Sequence, residues 1–180
     1  MHSQAGLLYN EKKEMKRMIE IRPLTLRDDL AAVGELYAQS WKQTYQRILP
    51  QRFLDKLTHD RWSAVLHADP GASLGLFEDG LLIGTAMLGF PREEERQGYG
   101  EIVSLHLLPQ KEGQGFGRRL LEAALQSLRE QGCGPVRLWV MCANTHAILF
   151  YLHMGFQPTG RMQTENYGGQ SVELMEMTKK

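Results

Sequence analysis

Only two cysteines, Cys133 and Cys142, occur in the 180 residues. They form no Cys-x-x-Cys pair, and no histidine cluster stands beside them. This argues against a disulfide framework and against a structural metal site. An excess of charge of either sign is also missing: 21 basic and 21 acidic residues cancel to a formal net charge of zero. A broad basic field for non-specific nucleic-acid binding is therefore absent. No apolar run reaches the ~18 residues needed to span a bilayer. The stretch from Met1 to Met18 carries Glu11-Lys12-Lys13-Glu14 where a signal peptide has an apolar core. These absences point to a protein of the reducing cytoplasm, without metal, membrane or nucleic-acid partner.

What is present suits one domain with a sizeable core, 42% hydrophobic and 23% charged. Residues 1–17 read as a flexible N-terminal extension and 18–180 as the domain. Met18 to Arg22 reads as a strand closed by Pro23. Thr25, with Asp28 three residues on, reads as a helix N-cap. Leu30, Val33, Leu36, Tyr37 and Trp41 follow at helical spacing, and Pro50 opens a second helical region that ends at Pro70-Gly71. Strands Leu74–Phe77 and Leu82–Phe90 flank Asp79-Gly80, a tight-turn signal. Pro91 to Gly100 reads as a polar loop in which Glu93-Glu94-Glu95 is solvated. Then come a strand over Glu101–Leu108, a helix after Gly117, a strand over Val136–Met141 and a helix over Asn144–Met154. Phe156–Met162 and Ser171–Met177 read as the last two strands.

The resulting fold class is α/β in the α+β sense: a mixed central sheet of about six to seven strands with helices on both faces. Short connections make the early strands antiparallel. The strand-helix-strand around 101–142 makes one parallel pair. Val172 to Met177 is expected at a sheet edge, which suggests a homodimer.

The segment Gly113-Gln114-Gly115-Phe116-Gly117-Arg118 joins a strand to a helix. Alternate glycines permit positive φ and close approach of a ligand to the backbone. The first helical N–H groups are free, and the helix dipole favours an anion there. A pyrophosphate fits such a site. The spacing is neither that of a P-loop nor of a dinucleotide fingerprint. Glycines in a helix–strand turn also serve packing alone, and the glycines by themselves do not separate the two readings.

Together with Asn144-Thr145-His146-Ala147-Ile148-Leu149-Phe150-Tyr151-Leu152-His153-Met154-Gly155-Phe156, this turn resembles the two signature segments of the GNAT (Gcn5-related N-acetyltransferase) superfamily. One family pattern is Gln/Arg-x-x-Gly-x-Gly/Ala before a helix, the other Asn-x-x-Ala-x-x-Phe-Tyr-x-x-x-Gly-Phe. Gly115 and Gly117 match the loop's glycines, whereas Glu112 stands where Gln or Arg is usual. Its carboxylate faces a bound pyrophosphate unfavourably, with Lys111 and Arg118 as offsetting cations. The resemblance implies that β-strand 101–108 splays from its parallel neighbour and exposes its backbone. It implies acetyl-CoA as acetyl donor, bound by the main chain of Leu105, His106 and Leu107, by Gly113, Gln114, Gly115, Phe116, Gly117 and Arg118, and by Asn144 and Tyr151.

Acetyl transfer to an amine requires a positioned thioester, a neutral amine, a donor to the developing oxyanion and a proton for the departing thiolate. By resemblance Tyr151 is the acid and Glu101 the base. Alternation along the strand puts His106, a competing base, on the face opposite Glu101. Trp41 and Tyr45 are the expected acceptor-pocket residues, suited to an amine by cation–π contact. His146 and His153 read as surface or packing residues. The implied activity is N-acetylation of a small-molecule or peptide amine. The alternative is a non-catalytic acyl-CoA-binding module of the same fold, which needs neither Tyr151 nor Glu101.

Overall fold

A computed structural model describes residues 17–180. The expectations for 1–16 lie outside the described residues. Arg17 is described, and its guanidinium pairs with Glu78 at 3.2 Å.

Among the described residues seven strands form one mixed sheet. They are β1 (Ile19–Pro23), β2 (Ser73–Glu78), β3 (Leu81–Gly89), β4 (Gly100–Leu107), β5 (Val136–Met141), β6 (Gln157–Tyr167) and β7 (Gln170–Lys179). The order across the sheet is β1-β2-β3-β4-β5-β7-β6. β4 and β5 are parallel, and the other neighbours are antiparallel. Helices α1 (Leu30–Tyr45), α2 (Gln51–Leu54) and α3 (Asp60–Ala68) cover one face; α4 (Phe116–Glu130) and α5 (Thr145–His153) cover the other.

Helix α4 is held by its apolar face. Phe116, Leu120, Leu121, Ala124, Leu125 and Leu128 are buried against β2–β5. Each fully buried leucine contributes roughly 2 kcal/mol of apolar transfer free energy. The β2–β3 hairpin turns through Asp79 and Gly80, both at positive φ (51° and 81°). Asp tolerates that region better than most residues, and Gly adopts it freely.

Several expectations are corrected. The cap of α1 is Asp29, whose side chain accepts from the Ala32 amide; Asp28 instead ties Thr25 and Arg22 together ahead of the helix. Pro23 belongs to β1, where it is tolerated because β1 is an edge strand. The last two strands run longer than expected. The polar run Gln163–Tyr167 shows no apolar alternation, yet it pairs with β7 up to the Gly168-Gly169 turn. Strand β7 is not an edge: it lies between β5 and β6, so the edge is β6. That edge carries Pro158, which has no N–H to offer, and a register shift between Pro158 and Met162, both of which discourage strand addition.

Candidate active site

The pairing of β4 with β5 stops early. Gly100, Glu101 and Ile102 face Val136, Arg137 and Leu138, and no pairs follow. Beyond Ile102 the strands part, while β5 stays paired along its whole length with β7 on its other side. A cleft of about 870 Å³ opens along the parted edge, within the usual size of a small-ligand site.

At one end of the cleft lie Gly113, Gly115, Gly117 and Arg118. Gly115 caps α4 in the left-handed region at φ 82°, with open space where a Cβ would stand. Gly117 has an ordinary φ, and a Cβ there would meet Leu107 and Phe150 only at 3.7 Å. Packing therefore does not require glycine at 117. Leu105, His106 and Leu107 line the cleft, as do Asn144 and Tyr151. Gln114 and Phe116 do not line it. The Gln114 side chain folds back to the Gln110 carbonyl at 2.9 Å, and Phe116 enters the core. Lys111 does not face the turn's carboxylate either; it is committed to Glu78. Arg118 bonds Glu122 at 2.8 Å on the open helix surface.

Asn144 caps α5, its side chain accepting from the Ala147 amide at 3.2 Å. Tyr151 lies nearly two turns beyond that cap and turns its ring against Phe150 and Phe156. Burial pushes its phenol well above the ordinary range, with a smaller push from Tyr45. It therefore stays protonated at neutral pH, able to donate. Burial raises Tyr45 to about 12, Tyr167 adding to the rise. His146 and His153, read as surface or packing residues, are exposed on α5 and also line the cleft, as does Leu149, which is 60% exposed.

Glu101 also lines the cleft, but its carboxylate is not free. Arg137 Nη2 stands 3.2 Å from it, and Arg137 Nη1 binds Glu93 at 2.8 Å. Glu176, fully buried, lies 3.6 Å from the same Nη1 and takes a fork from Arg96 and the Thr159 hydroxyl. The hydrogen bond from Arg137 holds the Glu93 carboxyl down at about 2, so this residue of the loop is pinned, not merely solvated.

The expected opposition of Glu101 and His106 is wrong. Between the pairs Met87–Ser104 and Leu88–Ile102 the register shifts, leaving Val103 as an extra residue. This bulge resets the alternation. Glu101, Ser104 and His106 all lie on the α1 side, where Ser104 meets the Tyr37 hydroxyl at 2.8 Å and His106 Nδ1 meets Ser40 at 2.9 Å. Burial pushes His106 down to about 4, so its imidazole is neutral at pH 7 and a weak base.

The far end of the cleft is aromatic. Trp41 and Tyr45 lie 4.8 Å apart between ring centres, and Tyr167 stands 5.8 Å from Trp41. Tyr167 sits at the tip of the β6–β7 hairpin in a polar run. The sequence signals it only through the Gly168-Gly169 turn that follows.

A sheet parted between two parallel strands, beside a glycine-capped helix N-terminus, is a cleft for a long phosphorylated cofactor arm. The acetyltransferase (GNAT) family model matches residues 30–156, and the chain belongs to this family. It is an acyltransferase, and its acetyl donor is acetyl-CoA. The chain is 29% identical over 165 residues to the uncharacterized N-acetyltransferase YuaI of Bacillus subtilis, covering 89% of this chain and 91% of that one. It is 27% identical over 148 residues to a spermidine N(1)-acetyltransferase of Thermoplasma acidophilum, covering 77% and 88%. The crystal structure of the PaiA N-acetyltransferase from Thermoplasma acidophilum with coenzyme A superposes with a TM-score of 0.66 at 27% identity, over 88% of this chain and 98% of that one.

Proposed function

We propose that residues 18–180 act as one catalytic unit that moves the acetyl group of acetyl-CoA directly to a primary amine of a small molecule or peptide. The observation that carries this reading is the continuous cleft. It runs from the glycine turn, along the unpaired edge of β4, to the aromatic end, and both Tyr151 and Glu101 line it. The glycine turn and the N-terminus of α4 would hold the pyrophosphate. Backbone N–H groups of Leu105 to Leu107 would take the thioester arm and its carbonyl oxygen.

Tyr151 donates its proton to the departing sulfur as the carbon–sulfur bond breaks. Glu101, directly or through a water, takes a proton from the amine as the nitrogen–carbon bond forms. His106 fits the base role less well, being buried, neutral and bonded to Ser40. Burial raises both thiols, Cys133 and Cys142, which disfavours a thiolate nucleophile and supports direct transfer. The relatives named for spermidine acetylation support an amine as acceptor class.

The test is to mix protein, acetyl-CoA and a panel of amines and to follow free thiol. Acetylated amine with stoichiometric thiol release is the expected result. Binding of acetyl-CoA with no transfer to any amine or peptide would favour the second reading, a non-catalytic acyl-CoA sensor.

A further inference from the structure

Taking the cofactor path proposed above, we infer that the His106 side chain is a hydrogen-bond donor to acyl-CoA: its Nε2–H faces the cleft and binds an amide carbonyl oxygen of the pantetheine arm. The Ser40–His106 pair fixes which ring nitrogen carries the proton.

Ser40 lies in α1 and is 3% exposed. Among the described residues its hydroxyl makes one hydrogen bond, to His106 Nδ1 at 2.9 Å. Helical serines often turn the hydroxyl back to a carbonyl of the preceding turn; Ser40 does not. If Nδ1–H donated to Ser40, the serine O–H would be buried with no acceptor, at the full desolvation cost of a lone donor. If Ser40 donates to Nδ1, that proton is satisfied, and this is the favoured arrangement. A neutral imidazole carries one N–H and one lone pair. With the lone pair of Nδ1 taken by Ser40, the ring proton stands on Nε2. Burial keeps the ring neutral at pH 7.

Nε2 has no hydrogen-bond partner among the described residues. The buried side-chain polar atoms left without one are Ser73 Oγ, Thr85 Oγ1 and Arg137 Nε. Nε2 is not among them, so it is open to solvent, and the open space that His106 borders is the cleft. The ring is braced there. Tyr37, 1% exposed and bonded to Ser104, packs against it at 5.0 Å between ring centres with the planes 67° apart.

Position along β4 selects the ligand group. A Cβ on Gly117 would meet the Leu107 side chain at 3.7 Å, so His106 is one residue from contact with the glycine turn. Glu101 lies five residues back, roughly 15 Å along an extended strand. His106 thus borders the stretch between the pyrophosphate and the reacting carbonyl. In coenzyme A that stretch is the pantetheine arm, whose amide carbonyls accept hydrogen bonds. No lone pair is left on the ring to serve as a base toward an amine in the cleft.

The test uses coenzyme A and its nucleotide half, which ends at the pyrophosphate. Nitrogen NMR of histidine-labelled protein should place the His106 proton on Nε2, in the signal that vanishes in His106→Gln. That N–H resonance should shift when coenzyme A binds and stay put when the nucleotide half binds. In calorimetric titrations His106→Leu should lose roughly three- to tenfold in affinity for coenzyme A, the scale of one hydrogen bond, while affinity for the nucleotide half holds. His106→Gln keeps an N–H near the Nε2 position and should lose less. Ser40→Ala frees the ring to take either tautomer and should lose roughly twofold. A proton found on Nδ1, an Nε2–H resonance unmoved by coenzyme A, or equal losses for both ligands in His106→Leu would overturn the inference. The NMR result is read on the parent protein and holds even if a variant folds poorly. Coenzyme A bound no more tightly than its nucleotide half would overturn the path of the arm as well. None of these outcomes depends on amine transfer, so the transfer reading stands or falls separately.

Discussion

Arg137 Nη2 stands 3.2 Å from Glu101 Oε2 across the β4–β5 pair, one residue before the two strands part. The ion pair therefore closes the sheet where the cleft begins. It holds the Glu101 carboxylate in place while Arg137 also reaches Glu93 and Glu176.

Arg137→Met should be strongly destabilising. It leaves Glu176, with no exposed surface, and the partly buried Glu101 short of a cation. Removing one partner of a buried ionic cluster costs about 3–5 kcal/mol. Arg137→Lys keeps the charge but loses the planar fork, and should fall between the two. Urea midpoints measure both. A midpoint in Arg137→Met equal to the parent's would show that Arg96 alone suffices for Glu176.

The two loop glycines should respond differently to alanine. At Gly115 the φ of 82° strains any L-residue, so Gly115→Ala should lower stability by about 1 kcal/mol. At Gly117 a Cβ meets nothing closer than 3.7 Å, so Gly117→Ala should fold with nearly parental stability. Its affinity for acetyl-CoA should nevertheless drop by about tenfold or more, because the methyl blocks approach to the backbone. Calorimetric titration and thermal melts separate the two effects. Full affinity in Gly117→Ala would mean that the pyrophosphate lies elsewhere.

Much of the fold is legible in the sequence because local chemistry writes it. Asp79-Gly80 demands a turn, the leucines of α4 recur on one face, and Asn144 caps its helix with its own side chain. What is not legible depends on partners distant in the chain. The Val103 bulge arises from register with β3 and reverses the side of His106. Arg137 reads as one polar residue in an apolar strand, since its partners Glu101 and Glu93 lie 36 and 44 residues away. The same holds for Lys111, drawn from the glycine turn to Glu78, 33 residues earlier.

His106 should leave a mark on stability in acid. Burial lowers its folded-state value from 6.5 to about 4, so the fold prefers the neutral ring. The unfolded chain takes up the proton first. Stability is therefore full above about pH 6.5 and is lost as pH falls toward 4, below which the term levels off. A shift of this size corresponds to roughly 3 kcal/mol across that window. Urea midpoints at several pH values should show the decline in the parent and a flatter profile in His106→Gln. Equal slopes in the two proteins would place the loss on other groups.

The acid and the base should separate by pH and by kinetic constant. Tyr151 stays protonated because burial raises its phenol, so it can supply a proton at any pH the fold tolerates. Tyr151→Phe removes only the hydroxyl and keeps the ring contacts with Phe150 and Phe156. It should lower kcat on the order of 10²-fold, the scale of one positioned acid, with acetyl-CoA affinity nearly unchanged. Glu101→Gln keeps the shape but removes the negative charge that faces Arg137 and that the proposed mechanism uses as base. An amine must be neutral to attack, and a lysine-like amine has a pKa near ~10.4. The loss in Glu101→Gln should therefore be greatest at lower pH, with partial rescue as pH rises and the free amine accumulates. Because Arg137 loses its partner too, the melting temperature must be measured alongside, and the pH profile is the readout that packing alone does not move. Full turnover in Tyr151→Phe would reduce Tyr151 to a packing residue. A pH profile in Glu101→Gln parallel to the parent's would move the base to a water chain or to His106, despite its burial.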